Sequence, residues 1–379
     1  MAESDSRRSA DSEDGGAARE RTATWKKLAL VLVSLGLSFA AAEGIYRYAT
    51  APDPNAPDGF DYEWRERYIQ MNETIYRRSE DPNLVYEPTP SSAVEMEYGT
   101  AGFNAQSMRE AHDVGLEPGP DRRVAVVGDS LVWSEFLPVH EALPQRIDEA
   151  LGDGFEVLNF GVSGYDTGDE AAWYRRGVAP YRPTVAVVVY CMNDMMIMSG
   201  PFERFANDAE RALKTAQETM LEQTAPVRRE TIDDVVARAE KDATFKLWAR
   251  FMGILERRRF DANYDDEYLA VARQPAPVAR CQAAMDALHT AIEQSGAKPL
   301  FVISPVLESW DDYHWDALHA LVGDTARAAG FQVLDPLDEW RAAGHTPEEM
   351  RVSGDNLHYD QSGNRVFAAS VAEFVRGAE

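Results

Sequence analysis

A serine, an aspartate and a histidine stand in this chain where they can carry out acyl-transfer chemistry together. Ser130 follows Gly128-Asp129 at the end of an apolar run, residues 124–127, and opens a helical stretch. A serine so placed has its hydroxyl exposed with a helix N-terminus beneath it. Taken alone, Gly-Asp-Ser is a weak signal, and a serine there is more often just a helix N-cap. Asp355 precedes His358 by three residues, an offset that lets the carboxylate fold back in a turn and accept the imidazole N–H. A second apolar run ends in Asn159-Phe160-Gly161-Val162-Ser163-Gly164, where Gly161 lets a backbone N–H face the space above Ser130. A third run ends in Cys191-Met192-Asn193-Asp194 and brings the Asn193 amide to the same rim. In chain order these are a nucleophile, two kinds of oxyanion donor, an orienting carboxylate and a base.

The elements that must position them alternate in type. Residues 124–127, 156–160, 184–190, 300–303 and 332–334 read as strands, and residues 139–151, 169–176, 312–329 and 363–376 as helices. Residues 184–190 are apolar almost throughout, as in a strand covered on both faces. The expected fold is therefore α/β, a parallel sheet with helices on both faces and the site at the carboxyl ends of its strands. Upstream, residues 62–78 read as a helix and 81–90 as a proline-containing extended approach. Residues 198–278 interrupt the alternation with helical periodicity only, and are expected to form a cap beside the rim. The Arg257-Arg258-Arg259 run within it reads as a solvated helix end, with an anion-binding patch as the other reading.

Composition narrows the classes of function. The 379 residues carry 38 Lys and Arg against 64 Asp and Glu, a net charge of −26, so a polyphosphate partner is repelled and nucleic-acid binding is disfavoured. Two cysteines, Cys191 and Cys281, give no disulfide framework or zinc pair. No metal site or cofactor is expected. His314 and His319, beside Asp311 and Asp312, fit an exposed helix start better than a metal centre. Trp133 either lines an acyl pocket or packs.

Residues 1–25 are expected to be a disordered cytoplasmic tail and 26–49 a transmembrane anchor built on the apolar run 28–42 after Lys26 and Lys27. A signal peptide cleaved after Ala40-Ala41-Ala42, and a buried helix, are the competing readings. Basic residues before the run and Asp53, Asp58, Asp61 and Glu63 after it place the bulk of the chain outside the cytoplasm. Residues 50–98 then serve as linker and approach, and 99–379 as the domain that carries the site.

The blocks Gly-Asp-Ser-Leu at 128–131, Gly161, Asn193 and Asp-x-x-His at 355–358 resemble the SGNH/GDSL hydrolases. Asn104 to Arg109 and the anchor-like start resemble the membrane-tethered members, many of which are associated with surface polysaccharides. The resemblance implies a flavodoxin-like three-layer sandwich with Ser130 as nucleophile, His358 as base and Asp355 as its orienter. The N–H groups of Ser130 and Gly161 would join the Asn193 amide in the oxyanion hole. Cys191 stands where the family's third block usually has glycine, which bears on pocket size. The order Ser, Asp, His also occurs in α/β-hydrolases, but no Gly-x-Ser-x-Gly elbow surrounds Ser130. The implied activity is a serine esterase acting on an ester or acylated-glycan substrate. An O-acyltransferase using the same residues, and a non-catalytic tethered glycan-binding protein, are the alternatives.

Overall fold

The run Val185–Tyr190 forms the middle strand of a five-stranded parallel sheet, and every side chain past Val185 is buried. The computed structural model describes Lys27 and residues 62–119, 121–195, 268–270, 272–311, 313–353 and 355–378. In chain order, helix α1 (Tyr62–Ile75) leads into two antiparallel pairs, β1 (Tyr76–Arg78) with β2 (Tyr86–Pro88) and β3 (Ser92–Met96) with β4 (Gly99–Phe103). The sheet strands follow as β5 (Arg122–Gly128), β6 (Phe155–Gly161), β7 (Val185–Tyr190), β8 (Lys298–Ile303) and β9 (Gln332–Leu334). Helices α2 (Ser130–Trp133) and α3 (Leu143–Leu151) lie between β5 and β6, and α4 (Thr167–Trp173) follows β6. Helix α5 (Pro275–Ser295) precedes β8, α6 (Asp316–Ala329) precedes β9, and α7 (Leu337–Ala343) and α8 (Gln361–Gly377) close the chain.

Strand order is β6-β5-β7-β8-β9, with every neighbouring pair parallel. The chain winds outward first to one side of β5 and then to the other, so a crevice opens at the carboxyl ends of β5 and β7. Alternate residues feed the two layers. Val124, Val126, Val187, Val189 and Val302 pack with Leu143, Ile147, Phe367 and Val371 of α3 and α8. Ala125, Val127, Val188, Phe301 and Ile303 pack on the opposite side with Trp173, Met285, Leu288 and Val322 of α4, α5 and α6. The expected three-layer α/β arrangement is what forms.

Local chemistry sets the boundaries. Residues 139–151 do not make one helix, because Ala142 is extended; a 3₁₀ turn (Val139–Glu141) precedes α3, and Pro144 starts the helix proper. Asp166 caps α4 by accepting from the Gly168 and Asp169 N–H groups, and Asp169 reaches back to the Asp166 N–H in a capping box. The helix expected over 62–78 ends at Ile75, since Tyr76, Arg77 and Arg78 pair with Pro88, Glu87 and Tyr86.

The approach segment is more than a spacer. Met71, Ile75, Tyr76, Tyr86 and Phe103 are buried in the same core as Trp133 and Phe160. The boundary expected between residues 98 and 99 falls inside the β3–β4 pair, where Met96 faces Gly99. Helices α5 and α7 were not anticipated. The chain divides into Met1–Asp58 and Gly59–Glu379, and every helix and strand given above belongs to the second unit. The expected tail, the anchor at 26–49 apart from Lys27, the linker up to residue 61, and most of the 198–278 insertion with Arg257-Arg258-Arg259 lie outside the described residues. Among the described residues no helix is long and apolar enough to cross a membrane.

Candidate active site

Ser130 is the first residue of α2, directly after β5 and Asp129. Asp129 caps this helix by accepting from the Leu131 N–H at 2.9 Å, and the Ser130 N–H has no acceptor among the described residues. At the other end of the sequence, Asp355 Oδ1 accepts from the N–H groups of Leu357 and His358 at 2.7 and 2.9 Å. That turn leaves Oδ2 to bond His358 Nδ1 at 2.7 Å, while His358 Nε2 lies 2.8 Å from Ser130 Oγ. The structure joins the three residues singled out from the sequence in one hydrogen-bonded line.

The tautomer follows from the partners. An ionised carboxylate only accepts, so Nδ1 carries the proton and the Nε2 lone pair faces the Ser130 hydroxyl. Burial on its own pushes the His358 imidazole down, but the Asp355 bond and charge, with Glu135 and Asp129 behind them, hold it above the ordinary histidine value. Burial likewise works to raise Asp355, and its bonds from His358 and Leu357 overcome this and leave it below the usual carboxylate range. Phe136 sets its ring edge-on to the imidazole, centroids 5.3 Å apart, from a backbone held at φ +68°. A bulky residue in that region is strained, and the strain sits beside the reacting groups.

Asn193 occupies a 3₁₀ turn (Met192–Met195) just beyond β7, at the same rim as Ser130. Its Oδ1 is buried without a hydrogen-bond partner among the described residues. Gly161 differs from its expected role. Its N–H donates to Asn159 Oδ1 at 3.0 Å, so it is not free to meet an oxyanion. What requires glycine there is space: a Cβ would stand 2.2 Å from the Trp133 nitrogen and 2.6 Å from the Val132 carbonyl carbon. The Val162 and Ser163 N–H groups are also occupied, by Gly128 O and the Tyr76 hydroxyl. The first N–H beyond β6 without an acceptor among the described residues is that of Gly164, which is partly exposed at φ +80°. An asparagine two residues before a glycine is a turn signal in the sequence, and it marks Gly161 as the residue already satisfied.

The remaining candidates separate cleanly. Trp133 is fully buried, 4.7 Å from the Phe103 ring with the Arg109 guanidinium 4.2 Å from its centroid, so it packs. Cys191 is buried among the residues of the α3/α8 face, and burial raises its thiol well above the ordinary value. His314 is exposed as expected, but His319 is buried, bonding the Tyr313 hydroxyl and Asp335 Oδ2 at 2.8 Å each. Among the described residues no three His, Cys, Asp or Glu side chains are grouped to hold a metal ion. Sequence reasoning missed Glu135 and noted Arg109 only as the end of the 104–109 block; both are almost wholly buried close to the site. Glu135 Oε2 accepts from Ser163 Oγ at 2.8 Å, and Arg109 donates to the Ser134 and Leu137 carbonyls.

No family model and no curated protein matches this chain. Solved structures do. LAE5, an alpha/beta hydrolase enzyme from the metagenome of Lake Arreo, is 13% identical with a TM-score of 0.39, over 68% of this chain and 96% of its own. The native aryl esterase of M. smegmatis is 13% identical with a TM-score of 0.37, over 68% and 100%. Axe2, an acetylxylan esterase from Geobacillus stearothermophilus solved as a catalytic mutant, is 12% identical with a TM-score of 0.38, over 69% and 95%. Likenesses this remote leave the chemistry to be read from the chain's own residues.

Proposed function

We propose that the chain is a serine esterase. The observation that carries this reading is the continuous line Asp355–His358–Ser130, with bonds of 2.7 and 2.8 Å and one forced tautomer. His358 Nε2 takes the Ser130 proton as Oγ attacks the carbonyl carbon of an ester. The carbonyl π pair moves to oxygen, and the Ser130 N–H, the Asn193 amide and the Gly164 N–H receive it. The imidazolium, held by Asp355, returns its proton to the departing alcohol and leaves an acyl-Ser130. Water then attacks the acyl group with His358 again as base, and the acid and free Ser130 result.

The finer reading is that the ester is an acyl group on an exported glycan, hydrolysed by a unit anchored in the membrane and exposed outside the cytoplasm. The anchoring is supported by the basic pair Lys26-Lys27 before the apolar run 28–42 and the acidic residues after it, and the glycan only by the resemblance of residues 104–109 and the anchor-like start to the membrane-tethered members. Ser130→Ala tests the chemistry. It is expected to lower kcat on a short acyl ester by about 10⁴-fold or more without loss of folded protein. Turnover near that of the parent removes the esterase reading.

A further inference from the structure

Ser163 has every polar group held by a different part of the chain. Its N–H donates to the Tyr76 hydroxyl of β1 at 3.1 Å. Its hydroxyl donates to Glu135 Oε2, in the loop after α2, at 2.8 Å. Its carbonyl accepts from the Tyr86 hydroxyl of β2 at 2.6 Å. Tyr86 is itself anchored, because the Tyr165 hydroxyl donates to its carbonyl at 2.7 Å. All five residues are buried.

The third bond has a geometric consequence. A trans peptide is planar, and its C=O and N–H point in opposite directions. The carbonyl of Ser163 and the N–H of Gly164 belong to one peptide, so the Tyr86 hydroxyl fixes the direction of the Gly164 N–H. Gly164 cannot fix it unaided, since glycine at φ +80° has the least resistance of any residue to rotating away. We infer that Tyr86, assisted by Tyr76 and Glu135, is a positioning residue that holds the Ser163–Gly164 peptide with its N–H turned toward the oxygen of the reacting carbonyl. The approach segment thus supplies part of the site. This rests on the esterase reading above and goes beyond it.

The alternative is that these tyrosines only pack. Tyr86 has ring neighbours in Tyr76 and Tyr165, at 5.3 and 5.1 Å between centroids, and a phenylalanine keeps both. Tyr86→Phe therefore isolates the hydroxyl. Burial holds the Tyr86 and Tyr76 phenols well above the ordinary tyrosine value, so both stay neutral at working pH.

The test uses the full chain, p-nitrophenyl acetate, active-site titration with a fluorophosphonate, and phenylboronic acid as a tetrahedral analogue. Removing an oxyanion donor outright costs about 10²- to 10³-fold in kcat. Releasing its peptide is expected to cost about 10- to 100-fold per titrated site, with KM little changed. Phenylboronic acid affinity falls by the same factor, and the shape of the pH profile stays as it was. Ser163→Ala, which frees only the hydroxyl link, costs less. An unchanged kcat per titrated site in Tyr86→Phe overturns the inference. If that variant does not accumulate as folded protein, Tyr76→Phe, which frees the other end of Ser163, is read by the same criteria. Ser130→Ala run in parallel separates the two failures. Activity in Ser130→Ala removes the esterase reading itself, whereas an inactive Ser130→Ala beside an unaffected Tyr86→Phe removes the clamp alone.

Discussion

Asp355→Asn separates what Asp355 does for the fold from what it does for the chemistry. Oδ1 closes the turn by accepting from the Leu357 and His358 N–H groups at 2.7 and 2.9 Å, and an asparagine oxygen can do the same. The other position changes sign. Where Oδ2 accepted from His358 Nδ1 at 2.7 Å, an amide NH₂ donates, so Nδ1 must become the acceptor. The imidazole proton then sits on Nε2, pointing at Ser130 Oγ 2.8 Å away, and no lone pair remains to receive the hydroxyl proton. The same exchange in a serine protease costs about 10⁴-fold in kcat, or about 5.4 kcal/mol of activation free energy at 1.36 kcal/mol per decade. Melting temperature is expected to stay near that of the parent. Asp355→Ala removes the turn bonds as well and is expected to lower stability by about 1–3 kcal/mol. The assay is kcat/KM on p-nitrophenyl acetate, normalised to folded protein by circular dichroism and thermal denaturation. Activity of Asp355→Asn within tenfold of the parent would refute the tautomer argument.

The acid limb of kcat/KM is expected to inflect above the ordinary histidine pKa of about 6.5, because His358 must be neutral to act as base and Asp355, Glu135 and Asp129 all favour its cation. Glu135→Gln should move that inflection to lower pH, and an unmoved limb would dissociate Glu135 from the base. Gly161→Ala is expected to drive β6 and α2 apart, since the Trp133 nitrogen is backbone and cannot swing away from the 2.2 Å contact; thermal denaturation should show a loss on the order of 1–3 kcal/mol, and a parental melting temperature would contradict it. Glu170 is fully buried, both its oxygens lack partners among the described residues, and burial raises its carboxyl well above the ordinary value. Its proton is kept in the folded state and lost in the unfolded state as pH rises, so its contribution to stability is greatest in acid and declines toward neutrality and above. Glu170→Gln should thus raise the melting temperature more at pH 8 than at pH 5, and an equal change at both would refute the sign.

The sequence made legible what depends on neighbours in the chain. Ser130 was placed by the apolar run before it, and Asp355 with His358 by a three-residue turn, and the structure brings all three together. The sheet was readable because residues 124–127 and 186–189 of its central strands are short, largely β-branched runs buried on both faces. The space that requires glycine at 161 was not legible, because it is set by a tertiary contact, the approach of α2. The Tyr86 and Tyr76 bonds to Ser163 span 77 and 87 residues, and no local pattern announces them. Residues 62–98 read as linker and approach for the same reason, since their buried side chains find partners only in the later core. Helix α5 was missed because the helical periodicity of the preceding segment hides where it begins.

The Ser130–His358 bond joins positions 228 residues apart, and α8, which follows His358, is fastened to the region of the nucleophile through Asn364, whose amide donates to the Glu141 carbonyl. Sheets closed by such distant pairings fold slowly, because the loop entropy must be lost before any contact repays it. A nascent chain that has completed β5 to β9 still has a nucleophile without a base. The Asp355–His358–Ser130 line is therefore assembled late in the folding of each molecule, only when the last loop and helix dock. A polypeptide still emerging from the ribosome carries Ser130 without the imidazole that faces it in the folded chain.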